Sequence, residues 1–523
     1  MSTVDVLLCL APIAGLVVAS VCTRWSTGVT LPLAAVAMFA VRTMALSMDP
    51  LQTSAAIVSG LHEALVPLSI VFGAIFLFKS MECTGCMDFM VERMVAVTGG
   101  DRVPQLLLLG WSFMTLLEGS SGFGTPIIAI APVLVRLGHE SDAAILFLLI
   151  TNSLVTVFGA AGTPMWYGFG QVPVDDDELV QTGFVAACAI GLLSFVLLPI
   201  ACAMATSKEE ARKHWRLIAF SATCGIVPMV ITARWSYTFP AIVAGGVGCL
   251  ATYQMIRYQK GGDAQGPGVL ETLKRTAPIT VTVLLLLLSR IPQVGLKDLL
   301  TRTTPSFTLR LGTYGDVSLS ASLVYQLKSI LTTDVNFRFQ LLFVPFIIPF
   351  MVTGLSTMLA YSCWRSVSGT LAASARQVVH PAQTLFGALV LVELMVTGED
   401  SPASLIGDTI STSLGDAWLV LAPFIGSLGS FVAGSTTISN LTFGLIQYAA
   451  SVNIAFDTPT VLALQCCGAS IGTSVCIYHC VAAGAAVGQE VSVKHFMRKL
   501  GPLVLIADIL AVGIAIGIGA LVQ

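Results

Sequence analysis

Two short runs of this sequence place small and polar residues inside otherwise apolar stretches. The first, within 103–137, is Leu117-Glu118-Gly119-Ser120-Ser121-Gly122-Phe123-Gly124-Thr125-Pro126. The second, within 411–450, is Ala433-Gly434-Ser435-Thr436-Thr437-Ile438-Ser439-Asn440. Three glycines and a proline in ten residues do not continue a lipid-facing helix. Unwound backbone at membrane depth is tolerated only inside protein or beside a water-filled cavity. There, half-helix N-termini present free N–H groups and a positive helix end, which attract an anion. The hydroxyls of Ser120, Ser121, Thr125, Ser435, Thr436, Thr437 and Ser439 and the amide of Asn440 add neutral donors. Gly122 and Gly124 let backbone come close. Such a site holds a carboxylate without a fixed cation buried in lipid. Packing through small residues is the plainer reading of a lone Gly-x-x-x-Gly; two paired polar breaks, one carrying a glutamate, point to re-entrant hairpins lining a site.

Ionisable residues inside apolar spans are costly and point to function. Glu118 abuts the first break, where it could take up a proton as the anion binds, or cap a half-helix. Glu393, deep in the apolar stretch 380–397, is a second candidate for the proton. His479 could hold the carboxylate of a substrate or a proton, or serve only packing. Asp408 and Asp416 read as helix caps, and Lys79, Arg93 and Arg102 as inner-face anchors. Asp508 lies deep in the last apolar stretch with no assigned role. Cys83-Thr84-Gly85-Cys86 has C-x-x-C spacing, but with no second pair and no nearby histidine; no metal and no cofactor are expected.

The elements that must position these residues follow from composition. Of 523 residues, 55% are hydrophobic and only 11% charged, against about 25% charged in a soluble domain. With a mean hydropathy of +0.87, lipid is the solvent of most of the chain. A net charge of −3 without a basic cluster excludes nucleic acid as a partner. Most of the thirteen cysteines sit in apolar runs, as small apolar side chains. The expected fold is an all-α polytopic membrane protein with about twelve spans: 5–22, 29–47, 61–79, 143–161, 181–206, 216–233, 239–256, 276–291, 339–361, 380–397, 457–487 and 500–522. The first of these reads as a span rather than a signal peptide, because it opens with Asp5 and no basic residue. Residues 82–97 read as a helix lying on the inner surface.

With both termini outside, eighteen of the twenty-six basic residues fall on the inner side, Arg24 among them, and the acidic runs Asp175–Glu178 and Glu399-Asp400 fall outside. The segment 290–338 disagrees, with six basic residues outside. The reading gives a first half, 1–257, with hairpin 103–137; an inner linker, 258–275; and a second half, 276–523, with hairpin 411–450 and an outer loop at about 292–337. An offset of 315 carries Gly119 onto Gly434, Ser120 onto Ser435 and Asp142 onto Asp457. The two hairpins open to opposite sides, as in an inverted-repeat transporter.

The same runs resemble the lactate permease family. Its pattern is matched by Glu118–Pro126, by Thr151-Asn152 with Phe158-Gly159-Ala160-Ala161-Gly162-Thr163-Pro164, and by Gly434–Asn440 continuing to Phe443-Gly444 and Gln447. Order and spacing agree over roughly 60–500. The resemblance adds Asn152 to the substrate-binding residues. It implies a proton-coupled symporter for lactate, often also glycolate, in the cell membrane. The chain departs from the pattern at Cys466-Cys467-Gly468-Ala469-Ser470 and Cys476-Ile477-Tyr478-His479, where the family has an Asn/Thr-rich segment and a Ser-Pro type of break.

Other readings stay open. Ser, Thr and Asn clusters can hold Na⁺, so a sodium-coupled carboxylate or dicarboxylate carrier is an alternative; a dicarboxylate would favour an added basic residue, and none is near the two runs. A membrane-embedded enzyme lacks support: position 123 breaks Gly-x-Ser-x-Gly, and no His-Glu-x-x-His is present. No Gly-x-x-x-x-Gly-Lys-Ser/Thr loop is present either, so the energy must come from a gradient.

Overall fold

The structure is a computed structural model that describes residues 3–522 except 23–24, 26, 123, 261–268, 291–293, 399–400 and 490–491. Arg24, Phe123, Glu399, Asp400 and the centre of the proposed linker lie outside the described residues. The chain is predominantly helical and divides into two compact units, one of residues 1–89 with 268–409 and the other of 90–267 with 410–523. Each unit takes one segment from either side of the linker. Among the described residues, six helices are long and apolar enough to cross a membrane, or nine if each bent pair is one span.

In the first unit, the helix Val367–Val396 packs against Thr27–Ala40, Pro50–Glu63 and Leu65–Cys83. Glycines set the closest approaches: a Cβ on Gly387 would stand 2.4 Å from Pro32 Cδ, and one on Gly60 2.6 Å from Val390 Cα. The end of the long helix is closed by Arg42, fully buried, which donates to the carbonyls of Leu394 at 2.6 Å and Thr397 at 2.9 Å. Those carbonyls are orphans of a helix C-terminus, and the guanidinium supplies the donors.

The expected outer loop is not loop. It folds as a four-stranded antiparallel meander: β1 (Ser306–Arg310), β2 (Asp316–Ser320), β3 (Val324–Lys328) and β4 (Phe337–Gln340). The register pairs Phe307 with Leu319 and Tyr325 with Phe339, so one face is apolar. Its β3–β4 half covers the helix Pro50–Glu63, with the His62 ring 5.4 Å from that of Phe337. An all-helical expectation fails here because it weighs apolar content over span-length windows, whereas a strand alternates with period two. The first residues of the expected span 339–361 belong to β4, and helix resumes only at Ile347.

In the second unit, Asp176–Ala205, Trp215–Ala233, Pro240–Gln259 and Val493–Val522 are long helices. Asp175 and Glu178 form a reciprocal capping box that starts the first of them, which gives the acidic run there a structural role. At both expected hairpins the helix is interrupted: Met114–Ser121 is followed by Thr125–Arg136, and Trp418–Ala433 by Thr436–Asn453. Two further helices are broken, which the sequence reading had as continuous spans. Ser141–Ser153 leads through the short turn Thr156–Phe158 into Gly159–Trp166 with a bend of 54°. Thr458–Gly472 leads through Thr473–Val475 into Ile477–Ala486 with a bend of 41°. Hairpin followed by broken helix is thus a series the unit contains twice. The second pair meets backbone to backbone: a Cβ on Gly468 would stand 1.8 Å from the Pro423 carbonyl oxygen, and one on Gly426 2.2 Å from that of Gln465.

Such contact tolerates no added methyl without moving one helix. Gly468→Ala is therefore expected to lower the thermal midpoint of the purified protein, by the ~1–3 kcal/mol typical of overpacking. Gly517→Ala, where a Cβ meets nothing within 4 Å, is expected to leave it unchanged; equal midpoints for the two variants would refute the contact.

Candidate functional site

The two hairpin tips and the two helix breaks of the second unit converge on one polar cavity. Its lining comes from Glu118, Gly122 and Gly124 of the first hairpin, Thr156, Gly159, Ala160, Thr163 and Pro164 of the first broken helix, Gly434–Thr437 of the second hairpin, and Thr473 and His479 of the second broken helix. Among the described residues no lysine or arginine contributes. The space is little larger than a bound water needs, so a larger solute has to part the tips.

Backbone conformation makes this convergence possible. Gly122 has φ 63°, ψ −162°, a region open in practice only to glycine, and a Cβ there would stand 2.7 Å from that of Ala160. Opposite it, Ala160, Ala161 and Gly162 are all left-handed, at φ 45°, 54° and 73°. Two alanines in that region store strain of order 1–2 kcal/mol each, a cost that observed elsewhere marks sites rather than scaffolds.

Three half-helices start at the cavity: Thr125–Arg136 after the left-handed Gly124, Thr436–Asn453 after Ser435, and Ile477–Ala486. Their first N–H groups have no carbonyl within the helix. The hydroxyls knit the elements together. Thr436 donates to Thr156 Oγ1 at 3.0 Å, Thr156 donates to Ser470 Oγ at 2.8 Å, and Ser470 donates to the Ser153 carbonyl at 2.6 Å. Thr163 and Thr437 meet at 3.3 Å.

Two ionisable groups face this ring of neutral donors. Glu118 is 1% exposed; the N–H of Gly124 meets its carboxylate, and Oε2 has no partner. Gly159 is pressed against it, since a Cβ there would stand 2.7 Å from Oε1. His479 is buried, with Nδ1 3.3 Å from the Thr473 carbonyl and Nε2 without a partner. A carbonyl can only accept, so Nδ1 carries the proton and Nε2, packed over Gly124, presents a lone pair or, once protonated, a donor.

Of the residues expected from sequence, Glu118, Gly122, Gly124, Ser435, Thr436, Thr437 and His479 line the cavity. The others support it or stand apart. Ser121 bonds Thr125 Oγ1 and the Leu117 carbonyl, each at 2.8 Å, and Ser120 back-bonds to Leu116. Ser439 donates to the Gly426 carbonyl, and Asn440 donates to Pro164 at 3.0 Å, tying hairpin to broken helix. Asn152 is buried with neither amide atom paired, outside the lining. Glu393 is in the first unit, where it accepts from Thr397 Oγ1 at 3.3 Å and from Ser59. Sequence reasoning left Thr156, Gly159, Thr163, Pro164 and Thr473 out of the site. Two signals were there to find: a Gly-Ala-Ala-Gly-Thr-Pro run at the end of an apolar stretch, and an expected span, 457–487, too long for one crossing.

Comparison with known proteins agrees with the motifs. A family model described as L-lactate permease matches residues 5–522. A relative from Haemophilus influenzae is 31% identical over 495 residues, 93% of each chain. The Escherichia coli K12 protein named L-lactate permease is 23% identical over 83% of this chain and 81% of its own. The Bacillus subtilis protein of the same name is 23% identical over 82% and 80%. Among solved structures, Neisseria gonorrhoeae MtrF, presented with a class of antimetabolite efflux pumps, covers 86% of this chain at 14% identity with a TM-score of 0.36, too low to bear on the fold. By motif, by full-length match and by relatives alike, this chain belongs to the L-lactate permease family.

Proposed function

We propose that this multi-pass protein of the cell membrane is a secondary transporter that carries lactate, and glycolate with it, in symport with a proton. Family membership supports lactate as the cargo and a transporter rather than an enzyme. The observation that carries the coupling is a cavity lined by helix N-termini and hydroxyls, with no lysine or arginine among the described residues of its lining and one buried carboxylate.

That combination favours one anionic group over two, because neutral donors and helix ends hold a single carboxylate. It also links anion to proton. An ionised Glu118 and a bound carboxylate repel each other across a small, water-poor cavity; a proton on Glu118 removes the repulsion, so each ligand favours the other, as linkage requires. Ser435, Thr436 and Thr437 are the substrate's partners in this reading, with the positive helix end that follows Gly124, and His479 Nε2 is a further contact. Ser120, Ser121, Thr125, Ser439, Asn440 and Asn152 hold the tips and breaks. Alternating access follows from parting the tips, one hairpin opening to each side. Twelve spans, an inverted repeat and both termini outside complete the reading, supported by the doubled series of hairpin and broken helix and by the distribution of lysine and arginine. Sodium coupling is the second reading, favoured by the oxygens of Thr156, Ser470, Thr436 and Ser153 lying within bonding distance of one another.

Purified protein in proteoliposomes is expected to take up labelled L-lactate when the outside is acid, in sodium-free buffer. Uptake only with a sodium gradient would select the second reading, and no uptake with either would reject lactate. Thr437→Leu or Ser121→Leu is expected to cut uptake by roughly tenfold or more, the factor given by about 1.4 kcal/mol of binding, with normal delivery to the membrane. Glu118→Gln is expected to leave lactate exchange at equal pH but weaken the dependence on external pH. An unchanged pH dependence would move the proton elsewhere, with Glu393 the next carboxylate to replace.

A further inference from the structure

The last helix, Val493–Val522, buries Asp508 completely, and the cavity makes no use of it. Its Oδ2 lies 2.7 Å from Ser427 Oγ, and that hydroxyl lies 2.8 Å from the carbonyl oxygen of Gly468. Oδ1 has no partner. A serine hydroxyl owns one proton, and a backbone carbonyl owns none to give. Both contacts are hydrogen bonds only when the carboxyl brings a second proton: Asp508 O–H donates to Ser427 Oγ, and Ser427 O–H donates to Gly468. With Asp508 ionised, the serine would turn to it, two oxygens would face each other at the Gly468 contact with no proton between them, and Oδ1 would be a buried anionic oxygen with no donor.

Among the described residues no cation pairs with such a charge. Lys499 is the nearest basic residue on its own helix, about 2.5 turns away. Apart from the acidic run that opens Asp176–Ala205, the elements packed against it present Cys188, Cys202, Cys466, Cys467, Tyr478, His479 and Cys480; Cys467 is the one that interacts with it electrostatically among the described residues.

The relay joins three elements. Ser427 is on the first arm of the second hairpin, and Gly468 is on the second broken helix. These are the two elements in backbone contact at Gly426 and Gly468, and a Cβ on Gly472 would stand 2.4 Å from the Ser427 carbonyl oxygen. They carry Ser435–Thr437 and the pair Thr473 and His479 to the cavity. We propose that Asp508 is a proton-binding site of the transporter, whose proton fastens the second hairpin and the second broken helix to the last helix. The proton enters from water on one side and leaves to water on the other, with no bond changed but O–H. Without it, Ser427 serves only one of its two partners, and the second half of the site is released from the last helix. This inference rests on the transport reading for its role, though not for the protonation itself.

Infrared spectroscopy of the purified full chain, without lactate, tests the protonation. Asp508→Asn is expected to remove a protonated-carboxyl stretch that Glu118→Gln leaves in place, and Ser427→Ala to shift that band by removing its hydrogen bond. In proteoliposomes, Asp508→Asn is expected to cut accumulation driven by an acid exterior by roughly tenfold or more, while lactate exchange at equal pH stays near the wild-type rate. No band lost in Asp508→Asn, or accumulation with the wild-type pH profile, would overturn the proposal. If Asp508→Asn fails to fold, an unshifted band in Ser427→Ala overturns it and a shifted one supports it. A wild type that accumulates no lactate would reject the transport reading, and the infrared result would still decide whether Asp508 holds a proton.

Discussion

Backbone that leaves its helix inside a membrane has to find other hydrogen-bond partners, and the second unit is arranged around that demand. Four interruptions, at Gly122 and Gly124, at 154–162, at 434–435 and at 473–476, would each be prohibitive facing lipid. Gathered around one cavity they satisfy each other. Asn440 serves the Pro164 carbonyl, Ser470 serves Ser153, and Thr163 meets Thr437. The residue types follow from the same demand: glycine where backbones touch, serine and threonine where a short donor must reach a carbonyl, and proline where no N–H is needed.

What the interruptions leave unpaired is what a small anion needs. Helix N-termini and hydroxyls offer partial positive charge without a cation, so an anion can leave as well as arrive. The one acidic group in the described lining is Glu118, of the same sign as the cargo when ionised. In the reading proposed above, a site that attracts a carboxylate by dipoles and opposes it by a carboxylate makes occupancy depend on a proton. Asp508 extends this logic to the framework: the hydrogen-bond count at Ser427 closes only when the acid is neutral, so protonation there becomes a condition on how the hairpin arm is held.

The first unit shows the same economy with different means. Arg42 spends its guanidinium on the carbonyls at the end of a long helix rather than on an acid. The sheet β1–β4 lays the apolar face of two strands on the helix Pro50–Glu63 and pairs all four strands in one meander. Glu393 belongs to this framework, bonded to Thr397 and Ser59, rather than to the cavity.

Much of this was legible in the order of residues. Apolar runs of about twenty residues announce a membrane protein because lipid rewards nothing else. The two polar runs announce their own hairpins, since Gly122, Gly124 and Gly434 cannot be explained in a continuing helix. Lactate as the cargo was reached through motifs that match a family. Other features were not legible. The breaks at 154–162 and 473–476 sit inside stretches that pass as spans, because Ala160 and Ala161 are helix formers by preference and turn left-handed only where Gly122 leaves them room. The sheet hides in a run too short and too alternating to register on the scale of a span. The role of Asp508 depends on two oxygens, 81 and 40 positions away in the chain, being brought within hydrogen-bond distance of one another. Sequence determines which groups can donate, accept or bend, since those are properties of single residues and their neighbours. Which donor meets which acceptor, and how many protons the set must hold, is decided only when the packed helices fix the distances.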